Sequence, residues 1–270
     1  MTDGRPDLLT QLTLERIDPN LFRSVVIDPQ DYTHLYGGLV AAQALRAAAD
    51  TVEPGRVPHS LHSYFLRRGD PGAQVVFHVD RDRDGRSFSA RRVTALQDGK
   101  VIFNLSASFH RWVPGPDTQR PAPPQVEDPD ALPVSDRASY LASIECRLPR
   151  QDWPLDQIRV PQRAWLRCTL PLGEDPVLHA CVLTYVSDAF NGVAPLATGT
   201  TRARASLDHA MWFHRPVQMD AWVLMDLCPQ SLAGGRGMYT GNVYDQSGSL
   251  VAALAQEMVL DGTGGPDITP

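Results

Sequence analysis

Apolar positions fall along this chain in short runs separated by polar turns. Before residue 112, Gly37 to Asp50 (GGLVAAQALRAAAD) has the composition of a helix, and four strand-like runs follow it. These are SLHSYFL at 60–66, AQVVFHV at 73–79, SFSARRVTAL at 87–96 and VIFNLSASF at 101–109. Arg83-Asp84-Gly85 and Asp98-Gly99 between them carry the residues of tight turns. After residue 135 a segment around Ser187–Ala197 precedes four more runs: SLDHAMWFH at 206–214, AWVLMDL at 221–227, GMYTGNVYD at 237–245 and LVAALAQEMVL at 250–260. Residues 112–135 break the pattern with Pro114, Pro116, Pro121, Pro123, Pro124, Pro129 and Pro133, and read as an extended linker, because proline donates no backbone hydrogen bond. The expected organisation is a first repeat over 1–112, a Pro-rich linker with a short helical stretch over 113–158, and a second repeat over 159–270.

The two sides match in element order more than in residue identity. Gly99 and Gly248 lie 149 residues apart, and that shift lays Val101–Phe109 over Leu250–Met258 and Ala107 over Gln256. This pattern predicts an internal duplication. The Ala-rich helix is slim, with Ala41, Ala42, Ala44, Ala47, Ala48 and Ala49 on most sides. A helix that thin can sit deep against a curved antiparallel sheet; the ordinary alternative is a surface helix chosen for propensity.

Composition narrows the function. The chain has 270 residues, a formal charge of −6 and a pI near 5.7, which argues against a nucleic-acid partner. No apolar run approaches the ~18–20 residues that span a bilayer, and Met1 to Arg5 has no signal-peptide character, so the expectation is a cytoplasmic protein with no membrane partner. Cys146, Cys168, Cys181 and Cys228 form no CxxC pair, which argues against a zinc site and predicts reduced thiols, mostly buried. Lys100 is the only lysine, in a turn, so amine-based covalent catalysis lacks a candidate. The remaining positive charge is arginine, clustered at Arg67-Arg68, Arg81/Arg83/Arg86 and Arg91-Arg92, which could grip phosphate or could simply be solvated edges. No G-x-S-x-G, Walker-type or dinucleotide-binding glycine motif occurs.

The blocks GGLVAAQAL, HSLHSYFLRRGDP, DGRSFSARRV and DHAMWFHRP (208–216) resemble, in content and order, those of the acyl-CoA thioesterase II (TesB-like) family. The resemblance spans roughly residues 20–260. It implies an α+β double hotdog fold, in which each repeat is a curved antiparallel sheet wrapped around a central helix. It further implies hydrolysis of acyl-CoA thioesters to fatty acid and CoA without metal or organic cofactor, and assembly as homo-oligomers, dimer or higher. The family's catalytic Asp and Gln map onto Asp188 and Gln256 in the second repeat. Its Ser/Thr member maps less well: aligned from Arg236-Gly237, the position falls near Gln230, with Ser231 beside it. Either residue could take the role, or the site could be impaired. Gly37, Gly38, Gly235, Arg236 and Arg91 are expected to contact substrate. Leu39 departs from the family's usual Gln after the paired glycines.

The residues support that chemistry on their own terms. Asp188 could accept a proton from water, Gln256 could orient the water without titrating, and backbone amides at a helix start or in Gly234-Gly235-Arg236-Gly237 could meet the oxyanion. The plainer readings are that Ser187-Asp188 caps a helix N-terminus, Gln256 is a solvated strand residue and Ser231 a turn hydroxyl. His62 and His209 are expected to hydrogen-bond within or beside the sheets. Two alternatives remain open: a non-catalytic acyl-CoA-binding or regulatory protein on the same fold, and a hydratase or dehydratase, which would want a His–Asp pair facing the acyl chain.

Overall fold

A computed structural model describes residues 6–25, 34–152, 160–197 and 202–261. The N-terminal five residues and positions 153–158 at the end of the expected linker lie outside the described residues. The chain divides into two compact units, one of residues 1–116 with 172–186 and one of residues 117–171 with 187–270.

The first unit contains a short helix α1 (Leu8–Leu12), strands β1 (Leu14–Asp18) and β2 (Leu21–Ser24), helix α2 (Gly37–Ala49), and strands β3 (Val57–Phe65), β4 (Val76–Asp84), β5 (Phe88–Gln97) and β6 (Lys100–His110). The strands pair antiparallel in the order β1-β2-β4-β5-β6-β3. Asp98 and Gly99, both at positive φ (48° and 72°), turn β5 into β6. Every second residue of β5, from Ser89 through Arg91, Val93, Ala95 and Gln97, is buried, as the period of two requires. Helix α2 packs on β2, β3, β4, β5 and β6 and is buried on nearly all sides, so the slim-helix expectation holds and the surface-helix alternative does not. Its one buried amide, Gln43, donates to the Gln11 carbonyl at 2.7 Å.

Helix α3 (Pro176–Ser187), all but its last residue, is grouped with this unit. Asp175 starts it by accepting the Val177 N–H at 3.0 Å, with Pro176 in the first helical position. Residues 179–187 are buried throughout, as suits a helix apolar on every side. Helices α2 and α3 touch at Gly38: a Cβ there would lie 2.4 Å from the Tyr185 carbonyl oxygen, which also accepts from the Tyr36 hydroxyl at 2.8 Å.

The second unit holds β7 (Ile144–Arg147), β8 (Arg163–Cys168), β9 (Arg202–Ser206), β10 (Asp208–Phe213), β11 (Val223–Ala233), β12 (Arg236–Asp245) and β13 (Leu250–Asp261). Its order is β7-β8-β11-β12-β13-β10, with β9 also paired to β13. Stripped to five strands, β2-β4-β5-β6-β3 and β8-β11-β12-β13-β10 follow one scheme, each with a helix in sequence between the first and second strands. The duplication is therefore visible in topology. The 149-residue shift fits the last hairpins, but it would start the second helix at 186, and α3 starts at Pro176. The segment 188–197, which follows α3, is a loop with one 3₁₀ turn at Ala194–Leu196.

The Pro-rich segment carries 3₁₀ turns at Pro129–Ala131 and Asp136–Ala138 and a bridge from Val134 to Arg147, strand β7 lies within the expected linker, and the segment is tied down. Gln119 donates to the Gly248 carbonyl (2.9 Å) and accepts from the Leu250 N–H (2.7 Å), and Asp117 pairs with Arg215. Val126 and Leu132 pack on a cluster of Trp165, Trp222, Leu224, Tyr244 and Leu250, and the Glu127 carbonyl accepts from the Trp165 indole at 3.1 Å. Proline leaves these carbonyls and apolar faces available to the neighbouring strands, so the segment is bound along its length.

Candidate active site

Strand β13 meets two partners in succession. Ala252–Ala255 pair with β10, and Met258–Asp261 pair with β9. Gln256 and Glu257 sit where one partner hands over to the other, and there the Leu207 N–H reaches the Glu257 carbonyl at 2.8 Å. Gln256 continues the inward row of Leu250, Ala252 and Leu254 and is 1% exposed. A buried amide in an apolar row needs partners. It finds them: Nε2 donates to Asp188 Oδ1 at 2.7 Å and to Ser206 Oγ at 2.5 Å. The Ser206 hydroxyl donates to the same Asp188 oxygen at 3.0 Å. Asp188, Ser206 and Gln256 thus form a closed triangle from three elements far apart in sequence.

Each corner is held from behind. Asp188 follows the last residue of α3, so Ser187-Asp188 ends a helix and the N-cap reading is corrected. A carboxylate at that end gains nothing from the helix dipole, and its hydrogen bonds must hold it instead. The next two carbonyls are pinned, Ala189 by the Tyr140 hydroxyl and Phe190 by the Tyr239 hydroxyl at 3.2 Å. Gly192 lets the loop lie on Tyr239, since a Cβ there would meet that ring at 2.3 Å. Tyr239 is fully buried, opposite Gln256 across the β12–β13 ladder, and burial pushes its phenol well above the usual value. Ser206 ends β9, in register with Met258. His209, 1% exposed on β10, contacts the buried Ser187 hydroxyl through Nε2 at 2.8 Å. Burial holds its ring below the ordinary imidazole value, against the opposing pull of Asp188, Gln256 and Asp208.

Of the expected catalytic residues, the structure brings Asp188 and Gln256 together, and Gln256 is not a solvated strand residue. It does not bring Ser231 or Gln230 to them. Both are exposed on β11 where a bulge shifts the register between Pro229 and Ser231, and Gln230 instead bonds Thr240 Oγ1 (3.0 Å) and the Cys228 carbonyl (3.3 Å). The hydroxyl at the triangle is Ser206. It stands two residues before Asp208, at the edge of the DHAMWFHRP block, and counting back from that block rather than from Arg236-Gly237 would have found it.

The expected substrate contacts fare differently. Arg91 is 1% exposed and fully engaged, by Thr51 Oγ1 and O, the Arg83 and Ala90 carbonyls and Asp84. It clamps the α2–β5 junction, so the phosphate-gripping expectation is corrected: its parity on β5 turns it inward. Gly37 opens α2, and Gly38 serves the close approach to Tyr185. Gly234 and Gly235, at φ 57° and 74°, form the β11–β12 turn, and Arg236 pairs with Glu257 at 2.9 Å. Cys146, Cys168 and Cys181 are buried, and desolvation lifts the Cys146 and Cys181 thiols to about 12; Cys228 is exposed. Among the described residues no group of three or more His, Cys, Asp or Glu is arranged to hold a metal ion.

Comparison with known proteins places this geometry in context. Family profiles described as acyl-CoA thioesterase N-terminal domain and acyl-CoA thioesterase C-terminal domain match residues 27–110 and 116–260. Mouse acyl-coenzyme A thioesterase 8 is 35% identical, covering 96% of this chain and 90% of its own length. The crystal structure of the Mycobacterium marinum acyl-CoA thioesterase II TesB2 superposes with a TM-score of 0.80 at 39% identity, over 95% of this chain and 98% of that one. A protein of unknown function with a hot dog fold from Alicyclobacillus acidocaldarius shares the fold at a TM-score of 0.76 and 20% identity, over 94% and 97% of the two chains.

Proposed function

Since the chain belongs to the acyl-CoA thioesterase family, with its double hotdog fold and its acyl-CoA hydrolase activity, we propose that Asp188, Ser206 and Gln256 are the residues that carry the hydrolysis. The observation behind this reading is the triangle itself, a carboxylate, a hydroxyl and an amide within 2.5–3.0 Å of one another. In this reading Asp188 takes the proton from the attacking water as general base, a step worth on the order of 10²–10⁴ in rate. Ser206 and Gln256 hold the carboxylate in one orientation, so that Asp188 and the Ser206 oxygen meet the water. Gln256 is suited to that because its amide donates twice without titrating near neutral pH. The water attacks the thioester carbon, the carbonyl oxygen takes up the negative charge, and collapse expels the CoA thiolate, which is protonated. The non-catalytic alternative was motivated by a missing hydroxyl, and Ser206 removes that motive.

Free CoA release, followed with a thiol reagent over a panel of acyl-CoAs of two to eighteen carbons, tests the proposal. Asp188→Ala and Gln256→Ala are each expected to lower kcat about 10²-fold or more with the fold intact by circular dichroism. Undiminished turnover in the Asp188 variant would remove its role as base. The same panel reads the acyl length that the enzyme prefers. We infer a homo-oligomeric enzyme from the family resemblance; light scattering tests this point.

A further inference from the structure

We propose that His209 is a positioning residue: its Nδ1–H faces Gln256 Oε1 while its Nε2 accepts from Ser187, and this fixes which way round the Gln256 amide lies. The inference rests on the reading that Asp188, Ser206 and Gln256 form the catalytic set.

An amide side chain has two ends of opposite character, and the site uses one of them twice. Gln256 Nε2 donates to Asp188 and to Ser206. Turned over, the same amide would set its carbonyl oxygen against a carboxylate oxygen and lose both bonds. Something must hold the other end, because Oε1 is buried and no hydrogen bond to it forms among the described residues. A buried acceptor left without a donor is costly. The register that sets Ala210 opposite Ala255 puts His209 beside Gln256 across β10 and β13, and Gln256 is one of the groups that favour a proton on that ring.

The tautomer then decides the outcome. A neutral imidazole carries one N–H and one lone pair. With the proton on Nε2, the ring would donate to Ser187 and turn its lone pair toward another acceptor. With the proton on Nδ1, the Ser187 hydroxyl donates into Nε2 across their 2.8 Å contact, and the ring offers a donor to Oε1. The second arrangement leaves a single directed chain. Ser187 donates to His209, His209 to Gln256, Gln256 to Asp188 and Ser206, and Ser206 to Asp188. Ser187 and His209 are both fully buried, so bulk water does not compete for these bonds. Burial also keeps the ring neutral at neutral pH, which the scheme requires. His209 thus acts on the reaction only through Gln256.

Two measurements test this. Long-range ¹H–¹⁵N correlation on histidine-labelled protein reads the tautomer directly: Nδ1 protonated with Nε2 bare is expected, and the reverse overturns the proposal. The second measurement compares His209→Asn with His209→Gln. Asparagine places its amide nitrogen near the position of Nδ1, and glutamine places its own near Nε2. His209→Asn should retain kcat within about fivefold, whereas His209→Gln should lose about 10- to 100-fold with KM little changed, the loss expected for one hydrogen bond to the catalytic set. A space-filling role predicts the opposite order, since glutamine is nearer to histidine in volume. Equal losses, or better retention by glutamine, would refute the positioning role. Should both variants fail to fold, the tautomer in the unsubstituted protein still decides. Full turnover in Gln256→Ala would instead sink the underlying catalytic reading, whatever His209 does.

Discussion

Replacing Ser206 by alanine deletes one hydroxyl and nothing larger. Its donor bond to Asp188 (3.0 Å) disappears, and the Gln256 amide loses an acceptor at 2.5 Å. One hydrogen bond to a charged group contributes about 1.5–3 kcal/mol. At 1.36 kcal/mol per decade, that corresponds to a fall in kcat of about 10- to 150-fold. Asp188 and Gln256 keep their own 2.7 Å contact, so residual activity is expected. Ser206→Thr keeps the hydroxyl and should stay within about fivefold, while Ser231→Ala and Gln230→Ala, on the exposed outer part of β11, should leave kcat within about twofold. Initial rates of CoA release across substrate concentrations separate kcat from KM for the five proteins. Wild-type turnover in Ser206→Ala would refute the assignment of the hydroxyl. A loss beyond about 10⁴ would refute the water-holding role too, because only a serine that itself attacks the thioester is that costly to remove.

Arg91→Lys should lower stability by about 2–5 kcal/mol, because three donors on a point charge cannot serve five acceptor contacts; calorimetry reads the Tm, and a tenfold rise in KM for acyl-CoA with the Tm unchanged would restore the phosphate-gripping role. Gly38→Ala drives a methyl into the Tyr185 carbonyl and should cost about 1–3 kcal/mol and several degrees of Tm; an unaltered Tm would mean that α2 and α3 part freely. Burial holds His59, His110, His209 and His214 below the ordinary histidine value of 6.5, so between pH 7.5 and 5.5 the unfolded chain takes up protons that the folded chain refuses. Stability therefore falls as pH falls through that window, His209→Asn should flatten the slope, and a melting temperature that rises on acidification would contradict the assigned burial.

Much of the fold was legible because its strands bury one face, and the period of two shows in runs such as SFSARRVTAL. Helix α2 was legible because its alanines leave little else for it to be. Helix α3 was not, because PVLHACVLTYVS is apolar on every side and so lacks the periodicity that marks a helix; Asp175-Pro176 was the signal available. At the site, Asp188 and Gln256 came from the family resemblance, and a lone glutamine in an apolar row supported the second. Ser206 escaped because its partners stand 18 and 50 residues away, one at the end of a helix and one on another strand, and meet it only in the folded chain. Arg91 misled for a related reason: read as one of a cluster it resembles a phosphate ligand, whereas counted by parity with Val93 and Ala95 it faces the core.

The handover of β13 from β10 to β9 also bears on how genes of this kind can change length. Met258 stands opposite Ser206 and Ala255 opposite Ala210, so the intervening residues on both strands are counted, not merely placed. Loss or gain of a single codon between 255 and 258 would turn Gln256 to the opposite face relative to one of its two flanking ladders, and one between 206 and 210 would do the same to Ser206 relative to β10. Insertions and deletions among natural relatives should therefore spare those two windows.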